Sequence, residues 1–222
     1  MGMKKKSEIL KELEESVIQG DEEAARKAAA EAIGANLDPV VAIEDGLTKG
    51  MSLVGEKFRK YEIFVPHVIL SADAMKSALS LLEPRIKGEG KAKITLGKVV
   101  IGTVYGDMHD IGKNIVATML NAARFNVYDV GVEAPARRFI EKAEEIGADI
   151  IAVSSLMAVT KPYQRDIIDL LNDMGLRDRY KVIVGGGAVT PEWAEDIGAD
   201  GYGKDAVEAV RMAKKLVEGK CL

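Results

Sequence analysis

Cysteine, histidine and tryptophan are scarce in this chain of 222 residues, which has one cysteine, two histidines and one tryptophan. The single cysteine, Cys221, excludes a disulfide within the chain and any thiolate-rich zinc or iron–sulfur site. No apolar run approaches the roughly 18 residues that a membrane-spanning helix needs. The basic start is not followed by the apolar segment of a signal peptide. The net charge of -4 argues against nucleic-acid binding. We therefore expect a cytoplasmic protein with no membrane or nucleic-acid partner.

The pattern of apolar residues changes along the chain. In residues 1–88 apolar side chains recur at helical spacing, with turn and cap residues such as Gly20, Asp21 and Pro66 between the runs. This pattern predicts a four-helix bundle. The Gly- and Lys-rich residues 89–97 are predicted to be a linker.

Residues 98–222 alternate short apolar runs with helical patterns. The predicted strands cover residues 98–104, 126–130, 149–154, 181–185 and 201–203. The predicted helices cover residues 112–123, 136–146, 161–174, 191–197 and 205–218. This order predicts an α/β domain with a doubly wound, five-stranded parallel sheet.

The segment Asp107-Met108-His109-Asp110-Ile111-Gly112 directly follows the first predicted strand. Gly106 and Gly112-Lys113 do not form a phosphate-binding loop, because the glycine spacing is wrong and Asn114 stands where Ser or Thr is required. A single histidine cannot hold free zinc, but it can bind a metal whose other positions a macrocycle fills, with Asp107 orienting the ring. A turn histidine bonded to its neighbours is the alternative.

Three further groups follow other strands of the predicted sheet. Ser154, Ser155 and Leu156 form the turn at the end of the third strand, Thr160 comes soon after, and Gly185-Gly186-Gly187 follows the fourth. Taken alone, the hydroxyl groups are typical of residues that satisfy free backbone groups, and the glycines of a tight turn. The carboxyl edge of an open α/β sheet is also where ligands bind.

In combination, the order Asp107-x-His109-x-x-Gly112, Ser154-x-Leu156 and Gly185-Gly186 resembles the motif of proteins that bind cobalamin base-off and His-on. In the first half, Gly50-Met51, Val54 to Phe58 and Phe64-Val65-Pro66 resemble the cap of methyl-carrying corrinoid proteins. The chain therefore resembles the corrinoid proteins of methylamine, methanol or methoxy-compound methyltransferases. Cobalamin-dependent methionine synthase contains the same two-domain module. The resemblance implies a helical cap followed by a Rossmann-like, flavodoxin-type B12-binding domain.

The resemblance also implies roles for individual residues. His109 would replace dimethylbenzimidazole as the lower axial ligand of cobalt, and Asp107 would hydrogen-bond the imidazole. Thr160 would extend a relay that takes up a proton when cobalt is reduced. The implied cofactor-binding positions are Met108, Asp110, Ile111, Gly112, Ser154, Leu156, Gly185, Gly186 and Gly187, together with Phe58 and Val65, which would cover the upper face. Val65 departs from the leucine of methionine synthase.

The implied function is that of a corrinoid methyl carrier in one-carbon metabolism or methanogenesis. It would accept a methyl group on cobalt(I) from a donor-specific methyltransferase, of methylamine type by overall likeness. It would then deliver the methyl group to a second methyltransferase that acts on a thiol or pterin. We expect it to need these partners, and a reductive activation protein, for turnover.

Two rival functions share the motif. A cobalamin-dependent sensor would carry an additional DNA-binding module, for which a cap starting within the first ten residues leaves no room. A mutase subunit would lack the helical cap. Among other residues, His67 is expected to be a helix residue and not a second ligand, and Trp193, Met51 and Met75 are expected to be packing residues.

Overall fold

The computed structural model describes residues 5–86 and 95–218. The chain divides into two compact units, residues 1–94 and 95–222. Most of the predicted linker at residues 89–97 lies outside the described residues, as does Cys221. The predicted domain boundaries therefore stay predictions.

The first unit is helical. It contains α1 (Lys6–Gln19), α2 (Glu22–Gly34), α3 (Pro39–Val41), a π-helical segment (Ala42–Thr48), α4 (Lys49–Arg59), α5 (Val65–Leu82) and a 3₁₀ turn (Glu83–Arg85). Gly20 ends α1 in the left-handed conformation, with φ of 67°. The Asp21 carboxylate accepts a hydrogen bond from the Ala24 N–H at 2.9 Å and so caps α2, as its position predicts.

Helical spacing did not predict the π-helical segment between α3 and α4. Two glycines in this part of the chain lie directly against α1. A Cβ atom on Gly46 would lie 2.9 Å from Leu13 Cβ, and one on Gly50 would lie 2.7 Å from the Glu14 carbonyl oxygen. The backbone around Gly46 and Gly50 therefore lies closer to α1 than a residue with a Cβ atom would allow.

The second unit is an α/β domain, as predicted. Its elements are β1 (Gly97–Thr103), α6 (Ile111–Ala122), β2 (Phe125–Asp129), α7 (Ala136–Ile146), β3 (Ile150–Ser154), α8 (Tyr163–Asp173), β4 (Lys181–Gly185), α9 (Pro191–Asp196), β5 (Gly201–Gly203) and α10 (Ala206–Glu218). The strands pair in parallel in the order β2-β1-β3-β4-β5.

Helices cover both faces of this sheet. Successive residues of β1 point to opposite faces: Val100 packs with Phe139 of α7 in one buried cluster, while Val99 packs with Leu120 of α6 in the other. From β1 the chain continues to β2 on one side of it and then crosses to β3 on the other side. The direction in which strands are added therefore reverses between β1 and β3. The carboxyl ends of those two strands are where an open α/β sheet binds its ligand.

Candidate functional site

The segments after β1 and β3 meet at this switch point. The two strands are in register to their ends, with Thr103 paired to Ser154. The pairing continues one residue further, where the Val104 N–H donates to the Ser154 carbonyl at 3.0 Å. The motif that follows β1 therefore lies directly beside the hydroxyl residues that follow β3.

Asp107 is fully buried at the centre of this junction. Its Oδ1 accepts hydrogen bonds from His109 Nδ1 at 2.7 Å and from the His109 N–H at 3.1 Å. Its Oδ2 accepts from the Leu156 N–H and the Thr160 hydroxyl, both at 2.8 Å, and from the Met157 N–H at 3.3 Å. Residues after two different strands thus converge on one carboxylate.

These donors keep Asp107 ionised. Burial by itself raises the pKa of this carboxyl, but the hydrogen bonds from His109, Thr160 and Leu156 outweigh burial and hold the pKa well below its ordinary value of 3.8. An ionised carboxylate can only accept hydrogen bonds. The hydrogen between Asp107 and His109 therefore belongs to His109 Nδ1.

The His109 ring is consequently ready to act as a ligand through its other nitrogen. With Nδ1 protonated, neutral imidazole has its lone pair on Nε2. The side chain is 52% exposed, although Asp107 beneath it is buried. The Thr103 hydroxyl donates to the His109 carbonyl at 2.9 Å and holds the loop from below. The arrangement presents one oriented nitrogen lone pair to the outside.

Exposed apolar side chains lie in the chain segments that follow β1 and β3. Met108 and Ile111, which flank His109 in sequence, are 70% and 78% exposed, and Val159 after β3 is 78% exposed. The other exposed apolar residues of these segments are Tyr105, Leu156 and Tyr163. Sequence analysis singled out Met108, Ile111 and Leu156 but missed Val159 and the two tyrosines, whose rings contact edge to face at a centroid distance of 5.6 Å.

The donor set fits a metal that brings most of its own ligands. Within residues 5–86 and 95–218 no group of three or more His, Cys, Asp or Glu side chains could hold a metal ion. Free zinc would need such a group. One histidine with an apolar rim instead suits a macrocycle-bound metal with an open axial position.

The three consecutive glycines that begin at the last residue of β4 are required by neighbours within the protein. A Cβ atom on Gly185 would lie 2.7 Å from the Gly203 carbonyl oxygen, and one on Gly186 would lie 2.0 Å from the Ser155 carbonyl oxygen. A Cβ atom on Gly187 would lie 2.7 Å from the Leu156 side chain. These contacts explain the glycines as a close approach of two chain segments. Contact between these glycines and a ligand stays a prediction.

Gly112 is different. It lies in the first turn of α6 and is exposed, and a Cβ atom added there would meet nothing within 4 Å. Nothing in the described protein therefore requires glycine at this position. The absence of a side chain suits a partner outside the polypeptide.

Two further residues of the motif serve the start of α6. Asp110 precedes the helix, and its carboxylate accepts from the Asn114 side-chain amide at 3.1 Å. Lys113 is buried and pairs with Asp129 at the end of β2, while its Nζ donates to Asn114 Oδ1 at 2.8 Å. Sequence analysis missed this pair because the two residues lie far apart along the chain.

Ser155 was also missed as a site residue. Its side chain is fully buried, and its hydroxyl lies 2.9 Å from the hydroxyl of Thr160. Sequence analysis named Ser154, which ends β3 and whose side chain is only half-buried. The strand alternation directs the second of the two serines toward Asp107.

The sequence-predicted residues of the first unit are described within that unit alone. Phe58 lies in the last turn of α4 and Val65 begins α5, and both are half-buried, whereas Tyr61 and Phe64 between them are 83% and 70% exposed. His67 bonds through Nε2 to the Ile18 carbonyl at 2.7 Å. That nitrogen is therefore engaged in joining α5 to α1, as expected of a helix residue.

The other packing predictions also match the structure. Met51 and Met75 belong to the buried core of the helical unit. Trp193 is half-buried on α9, and its indole N–H donates to Gln164 Oε1 at 3.0 Å. The Gln164 amide in turn donates to the carbonyls of Val153 and Gly185, at 3.0 and 3.1 Å, and so joins the ends of β3 and β4. Among the helices that the structure describes, none is both long and apolar enough to cross a membrane.

Comparison with known proteins gives matches to both units. A family model described as a B12 binding domain matches residues 97–211, and a second with the same description matches residues 9–83. Dimethylamine corrinoid protein 1 of Methanosarcina acetivorans is 47% identical over 212 residues, covering 96% of this chain and 99% of the relative. Trimethylamine corrinoid protein 2 of the same organism is 44% identical, covering 96% of this chain and 98% of the relative.

A solved structure resembles this one over almost its whole length. The crystal structure of a methanol:cobalamin methyltransferase complex from Methanosarcina barkeri aligns with a TM-score of 0.82 and 30% sequence identity. The alignment covers 98% of this chain and 82% of the matched chain.

Proposed function

This chain belongs to the methyltransferase corrinoid proteins, and from that membership we propose that His109 Nε2 is the axial ligand that holds the corrinoid cobalt. The chain is a corrinoid-binding methyl carrier that works with methyltransferase partners. When bound, the corrinoid supplies the cobalt atom that takes up and gives up the methyl group. The remaining chemistry concerns how this polypeptide holds and orients that group.

One observation carries the assignment of His109. Its Nδ1–H is fixed on a buried, ionised carboxylate, and its ring is half exposed. A ligating histidine usually donates its second ring nitrogen to a carboxylate, which fixes the tautomer and makes the ligating nitrogen more basic. Asp107 does this here. We therefore propose base-off, His-on binding, in which the imidazole would replace the cofactor's own base.

Asp107 keeps its charge because several donors converge on it, and Thr160 is one of them. Thr160 thereby helps to orient the carboxylate that holds the imidazole. A proton relay from His109 through Asp107 to Thr160 remains a prediction.

The exposed apolar residues of the segments after β1 and β3 would contact the corrinoid ring. Met108, Ile111 and Val159 are apolar and lie in the segments that flank the imidazole or the Asp107 cluster. Gly112 leaves room beside them. The assignment of Phe58 and Val65 to the upper face rests on the resemblance of the cap motif, and it remains a prediction.

The partners follow from the relatives. A methylamine-type methyltransferase is the proposed donor, because relatives more than 40% identical are dimethylamine and trimethylamine corrinoid proteins. A second methyltransferase acting on a thiol or pterin would take the methyl group, and a reductive activation protein would restore the carrier. We propose that the protein works in the cytoplasm together with these partners.

The ligand assignment is tested with the two histidines of the chain as a matched pair. Cofactor-free protein is titrated anaerobically with cobalamin, and the absorption spectrum reports whether imidazole or the cofactor's own base binds cobalt. We expect wild type and His67→Gln to give the imidazole-coordinated, base-off spectrum, and His109→Gln to lose it. An unchanged spectrum in His109→Gln would contradict the assignment.

The donor class is tested separately. Corrinoid-loaded, reduced protein is mixed with a dimethylamine methyltransferase and dimethylamine, or with a methanol methyltransferase and methanol. We expect methylation of the cofactor, seen as a change in its absorption spectrum, to be faster with the amine system. Faster methylation from methanol would contradict the proposed donor.

A further inference from the structure

The contacts around the Thr160 hydroxyl determine where the hydroxyl hydrogens of Thr160 and Ser155 point. The Thr160 oxygen lies 2.8 Å from Asp107 Oδ2, 2.9 Å from the Ser155 hydroxyl oxygen and 3.1 Å from the Met157 carbonyl oxygen. The two hydroxyl groups have one hydrogen each. Any arrangement must therefore leave some of these short contacts without a hydrogen.

The charges decide the arrangement. A carboxylate 2.8 Å from a hydroxyl oxygen with no hydrogen between them would be repulsive, so the Thr160 hydrogen points to Asp107. This is also the stronger bond, because its acceptor is charged. The 2.9 Å contact between the two hydroxyl groups then needs the hydrogen of Ser155, whose other acceptors are farther away, the Met157 carbonyl at 3.3 Å and Asp107 Oδ2 at 3.5 Å. Ser155 therefore donates to Thr160, and Thr160 donates to Asp107.

Ser155 is itself fixed by the glycine turn after β4. Its N–H donates to the Gly185 carbonyl at 3.0 Å. A Cβ atom on Gly186 would lie only 2.0 Å from the Ser155 carbonyl oxygen. The serine therefore connects two parts of the candidate site that lie far apart in sequence.

We propose that Ser155 is a positioning residue that strengthens the hydrogen bond from Thr160 to Asp107 and joins this network to the glycine turn at Gly185 and Gly186. The inference rests on the proposed function, since the network orients the imidazole of His109. A hydroxyl group that accepts a hydrogen bond is a stronger donor, so without the Ser155 hydroxyl the bond from Thr160 to Asp107 is weaker. Asp107 is then held less tightly, and so is the imidazole.

The test is a double-mutant cycle with Ser155→Ala and Thr160→Val. Loss of one hydrogen bond of ordinary strength changes an equilibrium constant about fivefold. We expect Ser155→Ala to weaken cobalamin binding about fivefold and to lower the imidazole-coordinated fraction in the absorption spectrum. In the Thr160→Val background the same substitution should have a clearly smaller effect, because Ser155 then keeps only its longer contacts, 3.3 Å to the Met157 carbonyl and 3.5 Å to Asp107 Oδ2.

Ser16→Ala is the matched control. Ser16 is also a buried serine, and its hydroxyl donates to the Leu13 carbonyl at 2.8 Å in the helical unit. Its removal should affect folding without changing the axial ligand. A full effect of Ser155→Ala in the Thr160→Val background, or no effect in wild type, would overturn the inference.

The same cycle is measured in cofactor-free protein by urea unfolding. We expect the equilibrium constants for unfolding to show the same non-additivity. Failure of wild type to bind cobalamin through imidazole would contradict the proposed function, and the unfolding cycle would still test Ser155. Additive unfolding effects would overturn the inference about Ser155 whatever the cofactor does.

Discussion

Replacement of Asp107 by asparagine changes one oxygen of the side chain to an amide and tests how the imidazole is held. Asparagine can orient its NH₂ group toward either set of donors. If the NH₂ group points toward Leu156 and Thr160, it faces two other donors, a backbone N–H and a hydroxyl. If it points toward His109, it faces the backbone N–H and the N–H of Nδ1. The second orientation loses fewer bonds if the imidazole moves its hydrogen from Nδ1 to Nε2.

That tautomer change gives the expected magnitudes. The bond from the His109 N–H to a charged acceptor is lost, at about 1.5–3 kcal/mol, and the remaining bonds become neutral. The free energy of unfolding should therefore fall by roughly 2–4 kcal/mol. Binding a metal through Nε2 would require the imidazole to return to the first tautomer against the new NH₂ group. We expect cobalamin binding through imidazole to weaken about ten- to hundredfold.

Asp200→Asn supplies the control for this experiment. Asp200 accepts hydrogen bonds from Arg177 at 2.7 Å, from Lys181 at 3.1 Å and from the Val182 N–H at 2.8 Å, beside the start of β4. It is thus a comparable carboxylate at the other end of the sheet. Urea unfolding should show destabilisation by both substitutions, whereas the absorption spectrum of bound cobalamin should change in Asp107→Asn alone. An imidazole-coordinated spectrum of wild-type intensity in Asp107→Asn would refute the tautomer argument.

Three further predictions concern stability and space in the site. Folding lowers the pKa of Asp107, so the contribution of this carboxylate to stability is present above the ordinary value of 3.8 and is lost as the pH falls below it. Between about pH 6 and about pH 3, urea unfolding should therefore show a steeper loss of the free energy of unfolding in wild type than in Asp107→Asn. Gly112→Ala should stabilise the cofactor-free protein by about 0.5–1 kcal/mol, as alanine does within helices. It should also weaken cobalamin binding, and equal affinity would show that Gly112 does not face the cofactor. Gly186→Ala should destabilise folding by about 3 kcal/mol or more, since its Cβ would overlap the Ser155 carbonyl oxygen and its φ is +120°. Gly198→Ala, with φ of +75° and open space, should cost about 1 kcal/mol, and equal losses would contradict the overlap.

Local patterns were sufficient to predict most of the α/β domain. The predicted helix at residues 136–146 matches α7 residue for residue, and the predicted strand at 181–185 matches β4. Buried strands and amphipathic helices can be recognised from the spacing of apolar residues in the sequence. The predicted start of α8 at residue 161 was two residues early, because Thr160 and Pro162 belong to the turn that brings the Thr160 hydroxyl to Asp107.

The candidate site was only partly predictable. Asp107, His109 and Thr160 could be selected because a known motif contains them, and the structure brings their side chains together. Ser155 could not be distinguished from Ser154 by residue type, since only the direction of the side chain at the end of β3 separates them. The pairing of buried Lys113 with Asp129 could not be predicted either, because Asp129 lies at the end of another strand.

The glycines show the same limit. Consecutive glycines indicate that something approaches the backbone closely, but the pattern cannot tell whether a ligand or the protein itself does so. For Gly186 the structure identifies Ser155, and for Gly112 it identifies no protein atom. Long-range contacts of this kind depend on the register of neighbouring strands, which spacing along one chain does not contain.

Electron paramagnetic resonance of bound cobalt(II) cobalamin tests the central claim most directly. Protein is prepared with histidine labelled with ¹⁵N in the ring, loaded with unlabelled cofactor and reduced to the cobalt(II) state. If His109 Nε2 is the axial ligand, each high-field line will be split into two by one ¹⁵N nucleus, in place of the three components seen with ¹⁴N. Three components in the labelled protein would show that the cofactor's own base is still bound and would contradict the account.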